Sequence, residues 1–127
     1  MYLREGSDAV FAWNYDKTDS LFRVMYEVKN KATGKYQVLR AEDENGIEMP
    51  DPRIPPPAYA GRLEKRGKAT LVVKGITFED STVFWCTLIG KPGFRDSGSM
   101  VNLVVTGDLY IYKYIYLLKT GLGILDF

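Results

Sequence analysis

Seven short runs rich in β-branched and aromatic residues, each closed by turn-forming residues, constrain this chain more than any other feature. They are AVFAWNY (9–15), FRVMYEV (22–28), KYQVLRA (35–41), GRLEKRG (61–67), ATLVVKGI (69–76), TVFWCTL (82–88) and SMVNLVV (99–105). The first sets Ala9, Phe11, Trp13 and Tyr15 on one side. The second sets Val24, Tyr26 and Val28 against Arg23, Met25 and Glu27. Alternation with period two is the mark of a strand with one buried face. YDKTDS, NKATGK, EDENGIEMPDP, KRGK and GKPGFRDSG fall between the runs and carry the residues that turns require. No stretch before residue 108 has a helical period. Regularly spaced short strands with such turns predict an all-β sandwich or barrel.

Composition then narrows the chemistry. At 127 residues the chain is long enough for one domain with a real core, and 46% apolar with 26% charged residues is ordinary globular usage. A net charge of +1 gives no field to gather nucleic acid or an anionic membrane. There is no histidine, which removes the commonest general base and metal ligand. Catalytic, cofactor and metal sites are therefore not expected, and the chain does not read as an enzyme. The single cysteine, Cys86, sits among Phe84, Trp85, Thr87 and Leu88 without a neighbouring base, so it reads as a small core hydrophobe.

Local motifs yield little chemistry. AEDENG (41–46) lacks the order and distal glutamate of a calcium loop and reads as a solvated turn. RIPPPAY (53–59) stiffens a connection. RLEKRGK (62–68) is basic without interleaved aromatics, so it is not a nucleic-acid patch. The chain opens without the apolar run of a secretory signal. The tail DLYIYKYIYLLKTGLGILDF (108–127) is interrupted by Lys113 and Lys119, which argues against a membrane span. It reads either as an extension of an edge strand or as residues foreign to the domain.

The stretch RLEKRGKATLVVKGITFEDSTVFWC (62–86) resembles the D–E–F segment of an immunoglobulin V-type domain. Arg62, Leu71, Val73, Ile76, Asp80, Phe84 and Cys86 hold the positions of that pattern. A weaker likeness covers residues 4–107. The resemblance implies a two-sheet antiparallel β-sandwich with C′ and C″ strands, occupying residues 1–107 with the tail outside it. It also implies that strand A and a leader are missing, and that Arg62 and Asp80 form a structural ion pair. Trp13, Tyr26, Leu71, Val73, Phe84 and Cys86 become core residues.

The departures form a set. Trp13 stands where the family has its strand-B cysteine, Tyr26 where it has the strand-C tryptophan, and Phe84 where it has the corner tyrosine. A disulfide closing a loop of that length would contribute roughly 4 kcal/mol in the chain-entropy model. Burial of Trp13 beside the thiol offsets part of it, provided the indole N–H finds an acceptor.

For function the resemblance implies a recognition or adhesion module at the cell surface or secreted, binding a protein that can be another copy of itself, without nucleic acid or cofactor. The alternative is a structural spacer in a multidomain or filament-type protein. Residues 29–60 leave room for C′ and C″, which favours recognition. With Phe84, Cys86 and Tyr26 inward, Met25, Glu27, Trp85 and Thr87 turn outward on neighbouring strands. Trp85 and Met25 are expected side by side on the G-F-C-C′ face, flanked by Phe94 and Arg95 from the loop 90–98.

Overall fold

The computed structural model describes residues 1–13, 21–67 and 69–107. Its strands are β1 (Tyr2–Arg4), β2 (Ala9–Ala12), β3 (Leu21–Lys29), β4 (Tyr36–Asp43), β5 (Leu63–Lys65), β6 (Thr70–Val73), β7 (Val83–Gly90), β8 (Ser97–Asn102) and β9 (Val104–Thr106). One antiparallel sheet runs β2-β6-β5 and the other β4-β3-β7-β8. β1 pairs in parallel with β9, Tyr2 opposite Val104. The tail 108–127, with the edge-strand extension read there, and Tyr15 lie outside the described residues.

Alternation drives the burial. On β3, Leu21, Val24, Tyr26 and Val28 are buried, and on β7, Phe84 and Cys86. On β2, Ala9 and Phe11 face in while Val10 is exposed. Glycine enables the β3–β4 turn: Asn30 Oδ1 accepts from the backbone N–H of Ala32 and Thr33, and Gly34 takes φ +73°.

The core is an aromatic column between the sheets. Phe84 stacks on Phe11 with ring centroids 4.5 Å apart, Phe11 on Trp13 at 5.6 Å, and Trp13 leans on Tyr26 at 5.5 Å. Tyr26 is the cross-strand neighbour of Cys86. Trp13, Leu71, Val73 and Cys86 all lie in the same buried cluster. Cys86 is a free thiol. Among the described residues the buried indole Nε1 of Trp13 meets no hydrogen-bond partner, so the acceptor expected from the sequence is not found there. Column stacking compensates in apolar contact for what the polar edge loses.

Arg62 and Asp80 close one end of the sandwich. Arg62 Nη2 stands 2.5 Å from Asp80 Oδ2, and its guanidinium also donates to the carbonyls of Ala58, Lys74 and Gly75. Asp80 is buried and accepts from the backbone N–H of Thr77. Phe84 lacks the corner hydroxyl. Tyr59 stands edge-on to Phe84 at 6.2 Å and brings a phenol to Asp80 from another part of the chain. Burial first, then the Asp80 carboxylate it hydrogen-bonds, hold that phenol above the ordinary tyrosine range.

Two expectations change on contact with the structure. The C″ strand is reduced to a single bridge, Glu42–Glu48, with Met49 N–H donating to Ala41. The following segment carries Pro50, Pro52, Pro55, Pro56 and Pro57, which cannot donate to a ladder. Glu42, read as part of a solvated turn, is instead a buried strand residue accepting from Tyr26 Oη at 3.2 Å and Arg40 Nε at 3.0 Å. A register shift between Tyr26 and Glu27 sets Arg40 opposite Tyr26 and Glu42 opposite Val24, which turns the carboxylate inward.

Burial, and secondarily the Glu42 carboxylate, push the Cys86 thiol up to about 12 from 9.0. Between those values the folded chain holds a proton that the unfolded chain releases. The thiol's contribution is therefore complete below about pH 9 and is lost as pH rises toward 12. Urea midpoints from pH 8 to 11 should fall more steeply for the wild type than for Cys86→Ala, which keeps Tyr59 but has no thiol. Parallel slopes would show that Cys86 ionises freely in the fold.

Candidate functional site

Strand parity builds the outer face of the four-stranded sheet in rows. Arg23 lies between Asp43 and Ile89, Met25 between Ala41 and Thr87, and Glu27 between Val38 and Trp85. β8 extends the rows, with Gly98 beside Thr87 and Met100 beside Trp85. Met25, Glu27, Trp85 and Thr87 thus share one face. The direct partner of Trp85 is Glu27, however, and Met25 faces Thr87 one row away.

Trp85 is half-buried, and the residues that make it so were not singled out from the sequence. Tyr36 on β4 leans toward it, ring centroids 6.2 Å apart and planes inclined at 55°. Beneath it lies Gly98, where a Cβ would stand 2.6 Å from Trp85 Cζ2. Glycine at that point of β8 lets the indole lie against the backbone. Glu27, Tyr36 and Trp85 line an open cleft of about 270 Å³. Thr87 Oγ1 donates to Glu27 Oε1 at a long 3.4 Å.

Phe94 and Arg95 do not flank Trp85. Their loop folds over Gly90, with Asp96 accepting from the Gly90 N–H. Gly90 is five residues along β7 from Trp85, a separation of about 17 Å. Phe94 is exposed at that far end of the face. A second cleft of about 460 Å³ opens where Met25 and Ala41 meet Met49 and Ile54. Signals for Tyr36 and Gly98 were present: an aromatic at the start of a strand, and a glycine within one. Their pairing with Trp85 depends on strand order, which local patterns do not give.

The fold has relatives among solved structures. Over 85% of this chain and 91% of the other it superposes on Tim-1 with a TM-score of 0.63 at 13% identity. Over 84% and 94% it superposes on CD84, from a structure addressing SLAM family function, with 0.60 at 12% identity. A chain from a structure of T-cell specificity and activation by the bacterial superantigen toxic shock syndrome toxin-1 gives 0.56 at 10% identity. The fold is an immunoglobulin-like sandwich. No family model matches the sequence, and no curated protein does. Among the described residues no helix is long and apolar enough to cross a membrane.

The packing of Trp85 over Gly98 is open to test. Gly98→Val should push the indole off the sheet and raise acrylamide quenching of its fluorescence, with Trp13 silent in the core. Stability should move by less than about 1 kcal/mol, because the site is on an exposed edge strand. Unchanged quenching would mean that Trp85 does not rest on β8.

Proposed function

We propose that this chain is a protein-recognition module of the V-type immunoglobulin class, binding its partner through the outer face of β4-β3-β7-β8. The observation that carries the reading is the row of apolar and aromatic side chains across the sheet face, Tyr36 and Trp85 beside Glu27 and Met100 next to Trp85. Tyr36 and Met100 are exposed, and Trp85 is half-buried. Buried interface centres are enriched in tryptophan, tyrosine and methionine.

The alternative role as a spacer is less well supported. A spacer makes its contacts at the two ends of the sandwich and gains nothing from an aromatic cluster in mid-face. Adhesion or self-recognition at a cell surface is the setting that suits such a module, and a second copy is one candidate partner. Catalysis forms no part of this reading.

Beads or cells displaying the domain, probed with the domain itself and with a panel of extracellular domains, test the reading. The wild type should bind at least one of them and Trp85→Glu should lose that binding while keeping its urea midpoint. Equal binding by the two proteins would remove the face from the interface.

A further inference from the structure

Glu27 occupies an unusual place. It stands between two aromatic residues contributed by the strands on either side of β3. The Tyr36 and Trp85 rings stand 6.2 Å apart, centroid to centroid, with their planes inclined at 55°, beside the open cleft. Among the described residues no lysine or arginine pairs with the Glu27 carboxylate, which takes only the long bond from Thr87. Nearby carboxylates are better satisfied: Glu42 and Glu48 share Arg40, Asp51 pairs with Arg53, and Asp43 and Asp96 accept from backbone N–H groups at 2.8–3.0 Å. A carboxylate with two π-faces beside it and no cation is complementary to a planar cation. Guanidinium stacks on aromatic faces and donates a fork of N–H groups to a carboxylate, which the compact, strongly hydrated ammonium of lysine does less well.

We propose that the cleft formed by Tyr36, Glu27 and Trp85 receives an arginine side chain of the protein partner. The proposal rests on the reading that this face binds a protein, and it specifies the chemistry of the contact. The guanidinium stacks against the indole and phenol rings and its N–H groups donate to Glu27. Gly98 contributes by holding the indole low against β8, so that its outer face meets the incoming group. The cleft, at about 270 Å³, has room for one such head group with its terminal methylenes.

The test uses Nα-acetyl-arginine amide as the probe and the Trp85 indole N–H signal of the ¹⁵N-labelled chain as the reporter. Its neutral isostere, Nα-acetyl-citrulline amide, is the control. The arginine compound should shift the Trp85 signal saturably in the millimolar range and leave Trp13 in place. Citrulline should give no saturation. Glu27→Gln and Tyr36→Ser should each weaken binding at least fivefold, with the Trp13 signal reporting that they remain folded. No saturation with the arginine compound, or equal affinity for Glu27→Gln, overturns the proposal. The display assay separates this failure from failure of the face itself. Loss of partner binding in Trp85→Glu with full retention in Glu27→Gln overturns the arginine site and leaves the face as the interface. Retention in both variants overturns both.

Discussion

The stack of Phe84 on Phe11, continued through Trp13 to Tyr26, is the contact on which the rest of the structure depends. It joins β2 of one sheet to β3 and β7 of the other. Aromatic stacking acts on the folded state, whereas a disulfide constrains the unfolded chain. A sandwich held in this way relies on shape, so the sizes of Trp13, Tyr26 and Cys86 must suit one another. A large ring just after β2 is matched by a smaller ring on β3 and a small thiol on β7.

The same stack decides which residues reach the outside. With Phe84 and Cys86 inward, Trp85 and Thr87 can only face out, and Tyr26 inward does the same for Met25 and Glu27. A slip of one residue would bury Glu27 and expose Tyr26. The make-up of the outer face is therefore a consequence of core register, and the ion pair of Arg62 and Asp80 sits just before β7 begins. Asp80 is held by a guanidinium, a backbone N–H and the Tyr59 phenol at once. That shared carboxylate replaces what Phe84 cannot provide.

Much of this was legible in the sequence because strands write their burial with period two. The alternation in 22–28 and 82–88 gave both the inward and outward sets, and the resemblance of 62–86 to an immunoglobulin D–E–F segment implied the order of those strands. The misses share a physical cause. A register shift at Tyr26/Glu27 moved Glu42 to the interior, and no local pattern announces an irregularity of that kind. The prolines after Met49 removed the C″ ladder, a signal that was visible but weighed as stiffening alone. Tyr36 and Gly98 joined Trp85 because β4 and β8 lie on either side of β3 and β7, which is a matter of topology rather than periodicity. Phe94 and Arg95 lie away from Trp85 because β7 runs on for five residues to Gly90 before their loop begins.

The claim that Trp13 stands in the place of a bridging cysteine is testable by putting the cysteine back. Trp13→Cys, refolded in air, should form a disulfide between the introduced thiol and Cys86. Mass spectrometry would show the loss of two hydrogens, and reduction should then lower the urea midpoint. If both thiols stay free and can be alkylated after unfolding without reductant, Trp13 does not face Cys86 across the sandwich, and the account of the core and of the face it sets is wrong.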